Sequence, residues 1–284
     1  MRPGAGPAIS QLELIAAGHW RGTREERLGD WLLRAADGFT GRANSALAVG
    51  DPGMPLADAL AAVTGWYRAR GLPPMIAVPV PLAGDGGAVD AFLARRSWPT
   101  RSGPAFVMVG GPGGPGGPGG PLSWPSGTTL PSGTTLPSGT TLPSGTTLPS
   151  GTTLRVDAEP DDAWLAMYHY RGRELPAIAR TLLLSAPWQG FASIRDEAGA
   201  PIAIARLSVG GGWAGITAVE VSAARRRQGL GTMITQAACA QATRRGAQRV
   251  FLQVEVDNAA AQAMYQRCGF TYSHRYHYRV APAA

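Results

Sequence analysis

The stretch Ala218-Val219-Glu220-Val221-Ser222-Ala223-Ala224-Arg225-Arg226-Arg227-Gln228-Gly229-Leu230-Gly231 decides how this chain folds. The residues from Ala214 to Val221 read as a strand. Beyond the glycines, Leu230, Met233, Ile234, Ala237 and Ala238 recur at the i, i+3, i+4, i+7, i+8 spacing of a helix with one buried face. Strand, Gly-rich turn and helix therefore follow one another directly. Such a turn gathers backbone N–H groups and the positive end of a helix dipole at one point, which makes an anion site. Gly229 and Gly231 let backbone approach a ligand closely, and guanidinium forks suit phosphate oxygens. A nucleic-acid patch is the competing reading of Arg225–Arg227, but three arginines before a Gly turn fit one phosphate site better. A triphosphatase loop needs a lysine, and all 26 Lys/Arg residues here are Arg. The same absence excludes Schiff-base and lysine general-base chemistry.

Outward from this turn, the C-terminal part alternates strands and helices. Asp161-Asp162 caps a helix carrying Trp164, Leu165, Met167 and Tyr168, and Pro176 opens a second helix running to Leu184. Strands at 190–195 and 201–209 flank a turn at 196–200, and Gly210-Gly211-Gly212 leads into the strand ending at Val221. Val250, Leu252, Val254 and Val256 alternate with Phe251, Gln253, Glu255 and Asp257, a strand with two faces. Asp257 or Asn258 caps a short helix ending at Gly269, and a last strand runs from Phe270 to Val280. The fold class is α/β, a mixed and mostly antiparallel sheet flanked by helices.

The second half of the site follows the strand with two faces: Asn258-x-x-Ala261-x-x-x-Tyr265-x-x-x-Gly269-Phe270. Together with Arg226-x-x-Gly229-x-Gly231, in this order, it resembles the GNAT superfamily of acyl-CoA-dependent N-acetyltransferases over residues 154–284. The resemblance implies acetyl-CoA as acyl donor, with its pyrophosphate on the amides of about Arg227, Gln228, Gly229, Leu230 and Gly231, and Arg226 at the head of the phosphate loop. It implies a pantetheine arm pairing like an extra strand with the backbone near Val219 and Val221, and touching Asn258. It implies Tyr265 as the acid that protonates the leaving thiolate. An acid so positioned contributes on the order of 10²–10⁴ in rate, and one backbone N–H on the thioester carbonyl about 3–4 kcal/mol.

The general base is less plainly written. Related protein N-terminal acetyltransferases often carry Glu or His five positions before the Asn. That position is Gln253 here, which takes no proton at neutral pH. Glu220 is the best substitute, then Glu255, then an ordered water. The bland alternative for Glu220 is a solvated carboxylate on a strand face.

Residues 1–109 read as a faded copy of the same plan. Ser10 to Trp20 starts a helix, and Asp37-Gly38 joins strands at 29–36 and 39–49 as a hairpin. A helical stripe at Leu56, Leu60, Val63 and Tyr67 ends by Gly71. A strand at 75–80, a helix at 88–96 and a strand at 104–109 follow. In place of the Arg/Gly turn stands Gly50-Asp51-Pro52-Gly53-Met54-Pro55, with acid for arginine and two prolines that lack amide donors. Its last helix has Phe92 and no tyrosine. This resembles tandem acetyltransferases in which one half is structural. Arg42-Ala43-Asn44-Ser45 is polar within an apolar region, which fits a wall of the acceptor site or a buried hydrogen-bonding role.

Between the halves, Gly-Gly-Pro triplets from Gly110 and Pro-Ser-Gly-Thr-Thr-Leu hexads to Leu154 make residues 110–153 a low-complexity tether without regular structure. Of the 284 residues, 39 are Gly and 24 Pro, and this segment concentrates them. A net charge of +7 suits an anionic small molecule as readily as nucleic acid. Cys239 and Cys268 read as reduced core thiols, neither a disulfide framework nor a metal site. Without a signal-peptide pattern or a run of roughly 20 apolar residues, a cytoplasmic protein with no membrane partner is expected. The expected reaction is acetyl transfer from acetyl-CoA to a primary amine, on a small molecule or a protein, with no metal. The alternative is a non-catalytic acetyl-CoA sensor or adaptor.

Overall fold

A computed structural model describes residues 8–110, 148–169 and 174–282, and the backbone of 135–136. In the first half α1 (Ile9–His19), β1 (Arg24–Leu28), β2 (Trp31–Ala35) and β3 (Ala46–Leu47) precede α2 (Leu56–Arg68), β4 (Met75–Pro81), α3 (Gly87–Arg95) and β5 (Ala105–Gly110). β6 (Thr135–Leu136), β7 (Thr153–Asp157), α4 (Asp162–Met167) and α5 (Ile178–Leu183) come next. Then follow β8 (Trp188–Arg195), β9 (Pro201–Gly210), β10 (Trp213–Val221), a 3-10 turn at Ala223–Arg225, α6 (Leu230–Arg244), β11 (Arg249–Glu255), α7 (Ala259–Arg267) and β12 (Thr271–Val280).

All twelve strands form one sheet, in the order β1-β2-β3-β4-β12-β5-β11-β10-β9-β8-β7-β6. Two neighbouring pairs are parallel, β3 with β4 and β10 with β11, and a helix crosses over within each. The other pairs are antiparallel. The halves interlock. β5 of the first half lies between β11 and β12, in register from Val250↔Gly110 to Glu255↔Ala105. β12 pairs in turn with β4, from His274↔Pro81 to Val280↔Met75. Each half thus lends its last strand to the other, which leaves no open sheet edge between them. α1 adds a second tie: its Glu13 reaches His274 Nε2 at 2.8 Å, and the carbonyl of His19 accepts from Arg206.

Helix and strand types agree with the sequence patterns, with local corrections. The first-half hairpin turns at Gly29-Asp30, with Leu28 facing Trp31, rather than at Asp37-Gly38. Asp37 and Gly38 do turn, at positive φ, but they lead into an irregular loop. That loop is organised by Asn44, whose Oδ1 accepts from the amides of Ala36 and Gly38 and whose Nδ2 donates to the carbonyls of Ala36, Phe39 and Thr40. α4 ends at Met167, so Tyr168 lies beyond it, and α5 starts at Ile178 rather than Pro176. Asp161 caps α4 by accepting from the Trp164 amide at 2.8 Å. Most of the 110–153 tether lies outside the described residues. Within that segment Thr135–Leu136 pairs with Leu154–Arg155 as an edge strand, and Leu148 is buried, so those residues join the fold.

The core of the second half is the α6 face against the sheet. Leu230, Met233, Ile234, Ala237 and Ala238 are buried over Ala214, Ile216, Leu207, Val250 and Leu252. Each large apolar side chain so buried contributes roughly 1.5–3 kcal/mol. Cys239 and Cys268 are buried free thiols there, and burial pushes Cys239 up to about 12. α2 covers the first half in the same way with Leu60, Val63 and Tyr67.

Candidate active site

Where β10 leaves its parallel partner, the sheet opens. Its ladder with β11 ends at Ile216↔Leu252. Just beyond, β10 bulges against β9: the register moves from Thr217↔Arg206 to Glu220↔Ile204, and Ala218 takes φ 52°. A bulge turns the strand and increases its twist. The result is a cavity of about 330 Å³ between the two strands. Thr217 to Glu220 form one wall and Gln253 to Glu255 the other. Asn258, Ala261 and Tyr265 of α7 close one side, and Arg42, Tyr276 and Tyr278 come from across the interlocked sheet.

The turn before α6 lies next to this opening. Arg227 sits at φ 61° and Gly229 at φ 78° as the N-cap of α6, with no side chain capping the helix. The amides of Arg227 to Thr232 meet no acceptor among the described residues. Free amides at a helix N-terminus are the donors an anion needs. Arg225, Arg226 and Arg227 are exposed beside them, and Arg226 Nε donates to the Val221 carbonyl at 3.4 Å. Gly231 has a different job from the one its position suggests. A Cβ there would meet Met264 Sδ at 2.8 Å, so its smallness lets α6 and α7 pack closely.

Glu220 faces the cavity and is not a freely solvated carboxylate. Burial raises its pKa above the usual carboxylate range, opposed by the His169 amide, which donates to Oε1 at 2.9 Å. The His169 ring lies 3.7 Å from Oε2. Glu255 also lines the cavity but is exposed at the end of β11. Gln253 is held by Arg42, whose Nη1 donates to Oε1 at 2.8 Å. Tyr265 is buried in α7, its ring 6.0 Å edge-on from Phe270, and burial pushes its phenol well above the ordinary value. It stays neutral at physiological pH and so keeps a proton to give. Asn258 spends its side-chain oxygen on capping α7, accepting from Ala261 at 3.1 Å, which leaves its amide nitrogen for a ligand. Val219 and Val221 are half-buried along the bulged strand.

The fold therefore gathers Val219, Glu220, Asn258 and Tyr265 around one cavity, with the free amides of the turn at its edge. Tyr168, Tyr276 and Tyr278 also line it; Tyr168 carries no site signal in the sequence, while Tyr276 and Tyr278 read as strand packing or, second, as an acceptor-pocket wall. The two tyrosines of β12 carry a signal only in their alternation, which reads first as cross-strand packing. Of the two histidines on that strand, His274 is buried against Glu13, and His277 reaches Asp90 Oδ1 at 2.8 Å. Among the described residues no group of three or more His, Cys, Asp or Glu side chains could hold a metal, and no helix is long and apolar enough to cross a membrane.

Residues 7–91 and 140–279 match the family described as "Probable histone acetyltransferase Rv0428c C-terminal". The chain is 26% identical over 276 residues to the uncharacterized N-acetyltransferase YobR of Bacillus subtilis, covering 96% of this chain and 98% of that one. A GCN5-related N-acetyltransferase from Kribbella flavida has a similar structure, with a TM-score of 0.66 at 20% identity over 99% of this chain and 98% of that one. A tandem GNAT protein from the clavulanic acid biosynthesis pathway matches with a TM-score of 0.62 at 15% identity, over 99% and 91% of the two chains.

Proposed function

The chain belongs to this acetyltransferase family as a tandem GNAT-like enzyme, and from that premise we propose that it moves an acetyl group from acetyl-CoA to a primary amine by direct attack in a ternary complex. The observation that carries the reading is a cavity between the parted strands lined by a partly desolvated carboxylate and a buried phenol, with a donor-rich turn following β10. Acetyl-CoA supplies the activated acyl group as a thioester. The amides of Arg227 to Gly231 hold its pyrophosphate, with Arg226 adding charge. The backbone of Val219 and Val221, with Asn258, aligns the pantetheine arm, and an amide at the β10 bulge polarises the thioester carbonyl.

The proton path is short. Glu220 takes a proton from the acceptor amine as its nitrogen bonds the acyl carbon. The carbon–sulfur bond breaks, and Tyr265 gives its proton to the departing thiolate. No covalent enzyme intermediate is needed. A carboxylate whose value is raised by burial sits closer to working pH, which suits a general base.

The test is thiol release with acetyl-CoA across an amine panel, as a function of pH. Glu220 acts only when deprotonated, so kcat/KM falls as pH drops through its raised value, at a higher pH than an ordinary carboxylate would give. Glu220→Gln lowers kcat by about 10²–10⁴ and removes that acid limb. A variant with an unchanged profile would show that water or Glu255 is the base. Acetyl-CoA binding with no turnover on any amine would replace the enzyme with the sensor.

A further inference from the structure

The cavity holds a positive charge that the acyl donor does not use. Arg42, from the loop between β2 and β3, lines it. Its Nη1 donates to Gln253, and its guanidinium lies 4.8 Å over the Trp20 ring, which fixes its direction. Among the described residues Gln253 Oε1 is the hydrogen-bond acceptor of Arg42, and no carboxylate pairs with that guanidinium. Arg206 lies over the same indole at 5.1 Å. It is fully buried, and its partners are all neutral: the carbonyls of Leu183 at 2.6 Å and His19 at 3.2 Å, and Thr217 Oγ1 at 3.4 Å. Burial lowers Arg206 to about 9, so it is still charged at neutral pH. Arg206 does not line the cavity and adds only to the local positive field, so Arg42 is the guanidinium that the cavity presents to a ligand. Glu220 and Glu255 line the same cavity, one on each of its two walls. The site is thus bipolar, with carboxylate and guanidinium in one cavity of about 330 Å³.

We propose that the acceptor is a small amine that carries its own carboxylate, an amino-acid-type molecule gripped at that carboxylate by Arg42 while its amine meets Glu220. The inference rests on the transferase reading and deepens it. A lysine-rich protein tail fits poorly: the chain carries a net charge of +7, and Arg42 and Arg206 would repel a second cation. A guanidinium fork is suited to a bidentate grip on a planar carboxylate.

The experiment measures thiol release from acetyl-CoA by the full chain, with free amino acids, the matching amino-acid amides, polyamines and lysine peptides as acceptors. The expected result is a preference for one or more amino acids over their amides by roughly ten- to a hundredfold in kcat/KM. Arg42→Gln should erase that preference, mainly by raising KM for the acceptor, while thermal stabilisation by acetyl-CoA persists. Arg42→Lys, which keeps the charge and loses the fork, should restore part of it, and it serves as the test if the Gln variant does not fold. Equal use of acids and amides, a preference untouched by Arg42→Gln, or turnover confined to polyamines or lysine peptides would overturn the inference while leaving the transferase standing. No thiol release with any acceptor would overturn both.

Discussion

In the first half, the turn between β3 and α2 turns two of its amides onto nearby carboxylates. The Asp51 amide donates to Asp30 Oδ2 and the Gly53 amide to Asp51 Oδ1, both at 2.8 Å, while the Asp30 amide donates to the Asp51 carbonyl at 2.7 Å. Pro52 and Pro55 have no N–H to give. In the second half, the turn between β10 and α6 leaves the amides of Arg227 to Thr232 without an acceptor among the described residues, beside three arginines. Both turns join a strand to a crossover helix in the same sheet. The two turns share a topology and differ in chemistry: one carries Asp51 and two prolines, the other three arginines and a run of free amides. The strands differ too. Past the short β3 ladder the Ala48 amide still donates to the Ala77 carbonyl at 3.1 Å, whereas β10 and β11 part after Ile216 and Leu252. In the last helices, α3 turns Asp90 toward His277 and Arg279 of β12, while α7 turns Tyr265 toward the cavity. On the proposed reading, one copy serves as structure and the other carries the chemistry.

The largest effect expected from this contrast is at the phenol. Tyr265→Phe should lower kcat by about 10²–10⁴ with little change in acetyl-CoA affinity, because the ring still packs on Phe270 and only the proton donor goes. The mirror change, Phe92→Tyr in α3, should leave the rate as it was. Steady-state kinetics with a saturating acceptor checks both, and an unchanged rate for Tyr265→Phe would refute the phenol as the acid.

Next in size is the turn. Gly229 sits at φ 78°, and proline both forbids that angle and removes an amide. Gly229→Pro should weaken acetyl-CoA binding by about ten- to a hundredfold or more. Isothermal titration of the unaltered chain should find one acetyl-CoA per chain, and Asp51→Arg should not add a second, since the two prolines remain. Two sites per chain would break the comparison outright.

How much of this was legible before the structure follows from how local each signal is. The turn at 225–231, the α6 stripe and the Asn258 cap are encoded within a few residues of one another, and each formed where the pattern put it. β1 was missed because Arg-Glu-Glu-Arg-Leu is an exposed edge strand with no apolar alternation. That let Asp37-Gly38 take the hairpin that belongs to Gly29-Asp30. The exchange of β5 and β12 is invisible to any local pattern, because it pairs residues more than a hundred positions apart. Arg42 stood out as polar in an apolar region, but only the interlocked sheet brings it to Gln253.

The smallest effect tests whether the first-half turn is structural alone. The Asp30 carboxylate accepts the Asp51 amide, and both residues are exposed. In Asp30→Ala, water can take over that amide, so the loss should be that of an ordinary solvent-facing hydrogen bond, about 1 kcal/mol. It should appear as a lower urea midpoint with an unchanged slope, since the surface exposed on unfolding stays the same. Acetyl-CoA affinity and kcat should not move, because the free amides, Glu220 and Tyr265 belong to the other crossover. A change in acetyl-CoA affinity in this variant would mean that the first-half turn takes part in donor binding, and the division between a structural and a chemical copy would fail.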